Sequence, residues 1–327
     1  MRFFHSGQSN WKPISAAISG FRLFCEYFCD WNKNSPAYYE IVIFTCPKTE
    51  SVIRTKILIM KYLYILLLLL VSNTLLPVKS ANGQTTENIS AFDYQYEKPA
   101  DGVLRILTYN VRNGKGMDEI TDYNRVASVI EAIHPEVVAL QELDSVTTRS
   151  NGVDVLKTLA EKCGMKSVYG ASISYRGGKY GIGILSREKP LTTSFIPLPG
   201  IEEKRGLLMA EFKDYILFCT HLSLTEADRI ASVKLIDQKA KELQKRVFLA
   251  GDLNTSPNSE AVSLLSEHWI NLSGIRPTFP SSGPTECIDY IWGVNCLNYT
   301  YSIIKQEVVP DKSASDHRPV FIDVSIR

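Results

Sequence analysis

RVFLAGDLNTSP, residues 246–257, is the stretch on which the reading of the chain turns. Arg246 to Ala250 form a short, largely apolar run of the kind that makes a buried strand, and it stops at Gly251, Asp252 and Asn254. A core strand that ends in Gly-Asp-x-Asn either turns at the surface or delivers two oxygen-bearing side chains to something that needs them. An Asx turn satisfies the first reading, so the choice rests on whether the event recurs.

It recurs along the whole C-terminal part. VLRILTY (103–109) ends at Asn110, VVALQ (137–141) at Glu142 and YILFCT (215–220) at His221. Asp289 lies inside CIDYIW (287–292), and Asp316 and His317 immediately precede VFIDVSI (320–326). Between these strands run helices: Val126, Val129, Ile130 and Ile133 fall at i, i+3, i+4, i+7, after Thr121 or Asp122 as cap and before a stop at Pro135. Val153, Leu156, Leu159, Ala160 and Cys163 give a second stripe. Thr225 to Leu243 reads as a helix with Thr225 and Asp228 in a capping arrangement, and His134 as a helix-end histidine favoured by the dipole. GIGILS (181–186) is a strand, LLMAEF and YILFCT a hairpin about Lys213 and Asp214, and residues 299–308 another strand. Strands alternating with helices, without repeats or long linkers, argue for one α/β domain from residue 101 to 327. In such layered domains the loops leaving strand ends are where sites are assembled.

Taken singly, each residue has a bland explanation: Asn110 a turn former, Glu142 a solvated acid, His221 a satisfied structural histidine. Six such strand ends together are hard to accept as coincidence. Their types also suit one chemistry, because hard divalent cations such as Mg²⁺ take a sparse set of Glu, Asp and Asn oxygens, and no Cys/His cluster suited to zinc is present. Phosphoester hydrolysis needs a water deprotonated, phosphoryl charge neutralised and a leaving oxygen stabilised, which a carboxylate-paired histidine, a metal and amide donors supply.

TYNVRNG (108–114), ALQEL (139–143), THL (220–222), GDLNTSP (251–257), IDYIW (288–292) and SDHRPV (315–320), in this order, resemble the endonuclease/exonuclease/phosphatase superfamily. Its members include deoxyribonuclease I, abasic-site endonucleases, inositol polyphosphate phosphatases and bacterial sphingomyelinases. The resemblance implies an α/β (α+β) four-layer sandwich, two mixed β-sheets packed face to face with helices on the outer faces. It implies Glu142 as the main Mg²⁺ ligand, Mn²⁺ being the other candidate ion, with Asn110 and Asp316 near the metal. Asp252 would orient or activate the nucleophile and Asn254 contact the phosphate. His317 would be the general base, held by Asp289, and His221 would steady the phosphoryl oxygens or the leaving group. Arg205 resembles a family arginine that supports the site. Trp292 stands where the family more often has Phe.

SYRGGKYGIGILSR (174–187) reads either as a flexible substrate loop bringing Tyr175, Arg176 and Lys179 to a phosphate or as a plain surface turn.

The N-terminal quarter is of another kind. After Met60 and Lys61 comes YLYILLLLLV, apolar from Tyr62 to Val71, followed by small residues at Ser80, Ala81 and Gly83. Ten apolar residues suit a secretory signal better than a bilayer span of roughly 20. The expectation is translation from Met60, a signal peptide over 60–83 and a secreted or periplasmic product. Residues 1–59, of which 1–56 show no helical or alternating period, read as an unstructured or non-native extension, and residues 84–100 as a polar lead-in. A signal anchor with a cytoplasmic tail is the rival.

The segment 1–83 holds nine of the chain's 36 Lys/Arg and four of its 35 Asp/Glu, so the remainder carries 27 basic and 31 acidic residues, a net of −4 with His neutral. Bulk affinity for nucleic acid is thereby disfavoured. The expected partner is a small-molecule or lipid-derived phosphoester in preference to DNA, and the expected state a monomer with no protein partner inferable. A secreted nuclease, a sphingomyelinase-like phospholipase and a non-catalytic binding module are the alternatives. The last is argued against because Glu142, Asp252, Asn254, Asp289 and His317 are all present. Cys163 and Cys219 sit among apolar neighbours and read as core residues. An exported compartment would permit a Cys287–Cys296 disulfide.

Overall fold

A computed structural model describes residues 94–296 and 300–326, together with the backbone of 14–18 and 21–25. The chain divides into two units, Met1–Glu87 and Asn88–Arg327. In the first, strands β1 (Ile14–Ile18) and β2 (Phe21–Cys25) pair antiparallel, in a stretch where no sequence period is readable. The proposed signal segment 60–83 lies outside the described residues, among which no helix is long and apolar enough to cross a membrane.

The second unit contains twelve described strands. In chain order they are β3 (Val103–Asn110), β4 (Val137–Ser145), β5 (Lys166–Tyr175), β6 (Gly178–Ser186), β7 (Thr192–Pro197) and β8 (Gly206–Glu211). There follow β9 (Tyr215–His221), β10 (Arg246–Asp252), β11 (Trp269–Asn271), β12 (Asp289–Val294), β13 (Ser302–Val308) and β14 (Val320–Ser325). They build two six-stranded sheets, ordered β13-β14-β3-β4-β6-β5 and β11-β12-β10-β9-β8-β7. Both are mixed: β3 with β4 and β9 with β10 run parallel, and the other pairings are antiparallel.

The central strands are apolar on both faces because both faces are covered. Along β10, Phe248 and Ala250 enter the cluster between the sheets, with Ile106, Ile184, Leu217 and Ile322. Val247 and Leu249 of the same strand face the opposite side, toward helices α3 (Glu226–Lys241) and α4 (Glu260–Ser266). Helices α1 (Tyr123–Ile133) and α2 (Val155–Cys163) cover the other sheet, meeting Leu107, Tyr109 and Phe321. The result is the expected four-layer sandwich. Tyr96 of the polar lead-in packs edge-on against Phe321 at 4.9 Å between ring centroids.

Strands β5 and β7 escape a reading of apolar runs because each is the last strand of its sheet and half-exposed. The segment 174–187 is the β5–β6 hairpin, turning at Arg176 and Gly177, both at positive φ. Asp122 rather than Thr121 caps α1, accepting from Asn124 N and Arg125 N. Thr225 makes no side-chain cap on α3, and Asp228 turns away to accept from Ser223 Oγ and Ile201 N, both at 3.2 Å. His134 ends α1 in the left-handed region, and its basicity is lowered by burial and by Lys98, Arg105 and Arg187. Cys287 and Cys296 are unpaired thiols.

One buried ion pair ties the fold together. Arg105 Nε and Nη2 grip Asp323 at 2.6 and 2.7 Å across the β3–β14 pairing, while Nη1 donates to Ile133 O at the end of α1. Asp323→Ala leaves that guanidinium buried without its counter-charge. Urea denaturation should show a loss of about 3–5 kcal/mol, and a loss below about 1 kcal/mol would contradict the pairing.

Candidate active site

Strand direction brings the expected residues to one edge. Asn110 ends β3, and β4 runs parallel beside it with Glu142 near its own end. In the other sheet Asp252 pairs in register with His221 on one side and Asp289 on the other. Only glycine fits at 251, because a Cβ there would strike the Thr220 carbonyl oxygen; the Gly-Asp sequence lets β10 lie against β9 just where both present polar side chains. Glu142 sits in a bulge, where Gln141 and Glu142, between Leu140 and Leu143, lie opposite the single residue Ile182 of β6, and its φ is 60°. A positive φ at a non-glycine residue is uncommon and costs free energy, and here it accompanies a carboxylate re-aimed out of the ladder.

The centre of the cluster is the Asn110 amide. Its Nδ2 donates to Glu142 Oε1 at 3.1 Å and to Asp252 Oδ2 at 3.0 Å, and lies 3.5 Å from His317 Nε2. Three chain segments separated by 32, 142 and 207 residues therefore converge on one side chain that is fully buried. His317 Nδ1 is 2.9 Å from Asp289 Oδ2, which fixes the ring with Nδ1–H toward the carboxylate and leaves Nε2 facing Asn110 and Asp252. The Ser315 hydroxyl donates to Asn110 O at 2.7 Å, and Arg112 Nε lies 3.3 Å from Asp316 Oδ2.

His221 is held in the opposite charge state from His317. Burial first, then the Arg205 guanidinium, push its basicity well down, so the ring is neutral. Arg205 Nη1 is 3.0 Å from Nδ1, which must accept, so the proton sits on Nε2, 3.5 Å from Asp252 Oδ2. Arg205 also pairs with Glu203 at 3.0 Å, and so stands behind His221. Asn254, in the left-handed region, donates its backbone N–H to Asp252 Oδ1 and its Nδ2 to Leu222 O, both at 2.9 Å. The Asx-turn geometry and placement beside the cluster thus coexist.

Tyr175 and Lys179 lie on the β5–β6 hairpin, outside the hydrogen-bonded centre. Tyr175 and Tyr180 rings stand 6.0 Å apart, with the Arg149 guanidinium over them at 4.8 and 5.4 Å. The buried Asp144 grips Arg149 from behind at 2.6 and 2.8 Å. Tyr180 lies opposite Asp144 in the β4–β6 pairing, two residues beyond Glu142, which places this wall beside the bulge. Arg112, Ser315 and Tyr180 sit inside stretches already quoted, but Arg149 and Thr278, which donates to Asp289 Oδ2 at 2.5 Å, carry no sequence signal of their own.

Asp252, Asp289 and His317 offer ligand atoms within 4.8 Å of one another, a set other than the Glu142, Asn110 and Asp316 that the resemblance implies, and Asp289 Oδ1 is buried without a hydrogen-bond partner. Burial and the Asp316 charge hold Glu142 above the usual carboxylate range, a strain that a bound cation relieves. Asp252 is raised by burial and by Asp289. Burial opposes the cationic form of His317, yet the charge and hydrogen bond of Asp289, with Asp252 and Asp316, outweigh it and lift the imidazole to about 10.

A raised histidine stabilises the fold fully below its unfolded value of about 6.5, and that contribution disappears as pH climbs through the folded value. Thermal melts of chelator-treated protein should therefore show Tm falling between about pH 7 and pH 10, and His317→Gln should flatten that fall. An unchanged slope in the variant would contradict the assignment.

With this geometry in place, the comparisons are direct. The sequence matches the Endonuclease/Exonuclease/phosphatase family over residues 107–317, and the chain belongs to that family. Its members hydrolyse phosphoester bonds, so the chain is a phosphoester hydrolase of a metal-dependent class. No curated protein matches it. An endonuclease/exonuclease/phosphatase from Beutenbergia cavernae is similar in structure, at 23% identity and TM-score 0.55, with 68% of this chain and 71% of that chain covered. The mannosyl-6-phosphatase of Bacteroides thetaiotaomicron gives 18% identity and 0.57, with 68% and 99% covered. D. rerio TDP2 complexed with a single-strand DNA product gives 20% and 0.55, with 68% and 99% covered. At these identities the likeness is one of fold.

Proposed function

We propose that the chain is an exported, Mg²⁺-dependent phosphoesterase that hydrolyses a small-molecule or lipid-derived phosphodiester or phosphomonoester by attack of water at phosphorus. The observation that carries this reading is the Asn110 amide binding Glu142 and Asp252 beside the Nε2 of a carboxylate-paired His317. Glu142, Asn110 and Asp316 are the residues we assign to the cation, and the cation supplies neutralisation of phosphoryl charge.

The remaining roles follow from protons. With Nδ1–H donated to Asp289, His317 Nε2 accepts a proton from water and later returns it to solvent or to the leaving oxygen; a cation held by the neighbouring carboxylates would offset the negative charge that keeps the metal-free imidazole protonated and so leave Nε2 able to accept. Asp252, anchored by Asn110 and by Asn254 N–H, orients that water. As water oxygen bonds to phosphorus and the ester oxygen departs, the neutral His221 offers Nε2–H to a phosphoryl or leaving oxygen. The Tyr175–Tyr180–Arg149 wall and the exposed Lys179 are assigned to the substrate beyond the phosphoryl group. The acidic balance of the chain after residue 83 supports a small or lipid-derived substrate over DNA. One structural neighbour is named a sugar phosphatase and another holds a DNA product, so both arms enter the test.

The test is hydrolysis of a bis-aryl phosphate, inositol phosphates, sphingomyelin and plasmid DNA, with and without chelator. Activity on a small or lipid substrate that vanishes with chelator and returns with Mg²⁺ or Mn²⁺ is expected, and hydrolysis confined to DNA would overturn the preference. Export is tested by fractionation and N-terminal sequencing, with a mature start between Ser80 and Gln84 expected and recovery of residues before Met60 contradicting it.

A further inference from the structure

His317 and Asp289 come from different sheets. Asp289 begins β12 in one, and His317 precedes β14 in the other, 28 residues further along. A hydrogen bond between them does not by itself fix the dyad, because the terminal torsion of an aspartate is broad and the plane of its carboxylate can swing about a single contact. A second contact has to hold that plane. The buried Thr278, in the loop between β11 and β12, is bonded to Asp289 and to Arg318, the residue after His317. Its hydroxyl donates to Asp289 Oδ2 at 2.5 Å, the same oxygen that receives His317 Nδ1–H at 2.9 Å. Its carbonyl accepts the backbone N–H of Arg318, the residue after His317, at 2.9 Å.

Asp289 Oδ1 meanwhile has no partner, although the residue is only 2% exposed. Both donors crowd one oxygen while the other stays unpaired, so the carboxylate is oriented by its surroundings and not by a general excess of donors. The neighbouring residues repeat the pattern. Ser281 N donates to Asp316 O and Ser281 Oγ to Ser315 O, both at 2.7 Å, and Arg318 Nε donates to Ser281 O at 2.8 Å. Residues 278–281 are thus bonded along 315–318, and the Phe279 ring lies 4.9 Å from the imidazole.

We propose that Thr278 is a positioning residue, whose hydroxyl fixes the plane of the Asp289 carboxylate that holds His317 and whose carbonyl fixes the backbone beside that imidazole. The inference rests on the hydrolytic role assigned to His317. Its test therefore includes a readout that needs no turnover.

Thr278→Val removes the hydroxyl at nearly constant volume, and Thr278→Ser retains it. The valine variant should lose about 10-fold or more in kcat, as supporting partners of site residues typically do, with KM unchanged, and the serine variant should recover most of the loss. In an Asp289→Ala background the valine change should add nothing, since residues acting as one unit are not additive. Proton NMR supplies the independent arm. The downfield resonance of His317 Nδ1–H, assigned by its absence from His317→Gln, should broaden or move in Thr278→Val and persist in Thr278→Ser. If the valine variant does not melt cooperatively, Thr278→Ala takes its place in every arm. An unmoved resonance, or equal loss in the valine and serine variants, overturns the proposal. Absence of phosphoester turnover in the unsubstituted protein sinks the hydrolytic reading instead, and the resonance still decides Thr278.

Discussion

His317→Ala lowers kcat for the preferred phosphoester by about 10²-fold or more, the range that general-base catalysis supplies. The size follows from geometry. Nδ1 is committed to Asp289 at 2.9 Å, so Nε2 alone faces the cluster, within 3.7 Å of Asp252 Oδ2 and 3.5 Å of the Asn110 amide. Water placed there without the imidazole must give its proton to Asp252 or to solvent. His221 cannot substitute, because its ring is neutral and the Arg205 donor at Nδ1 leaves its one proton on Nε2, the atom that would have to accept. Steady-state kinetics on purified variants, with circular dichroism to establish folding, measure the effect. Undiminished turnover would contradict the role of His317.

Glu142→Gln produces the second large effect, about 10²- to 10³-fold in kcat, comparable to removing a dedicated electrostatic contact from a site. The substitution keeps size and can still meet Asn110, but it removes the negative charge that a cation requires. Because Glu142 is raised by burial and by Asp316, neutralising it relieves an unfavourable charge in the metal-free protein. The variant should therefore melt at the same temperature as the unsubstituted protein, or higher, when chelator is present. Loss of activity together with that melting behaviour separates a ligand from a structural acid, whereas lost stability with retained activity contradicts the assignment.

The order of these elements was legible in the sequence because the central strands are buried on both faces. VLRILTY, VVALQ, YILFCT and RVFLA each carry consecutive apolar residues that stop at a polar side chain, and β3, β4, β9 and β10 follow those limits to within a few residues. Strands β5 and β7 did not announce themselves, since edge strands are half-exposed and mix polar with apolar residues. Asp228 misled as a cap because a carboxylate early in a helix suits both a capping box and a tertiary partner, and the Ser223 hydroxyl and Ile201 N–H won it.

For the site, the sequence supplied residues at strand ends and the pairing registers supplied their meeting. That Asp252 lies opposite both His221 and Asp289 is a property of sheet order, which no local pattern encodes. The bulge that turns Glu142 toward Asn110 is likewise set by pairing with β6. Thr278 was invisible for the same reason, because its partners lie 11 and 40 residues away and its immediate sequence resembles any proline-flanked loop.

The most direct test of the central claim is hydrolysis in ¹⁸O-enriched water. Incubated with Mg²⁺ and its preferred phosphoester, the protein should release a phosphoryl product carrying one solvent oxygen and an alcohol carrying none, since water held by His317 and Asp252 attacks phosphorus. Label appearing in the alcohol, or no turnover of any phosphoester with Mg²⁺ or Mn²⁺, would contradict it.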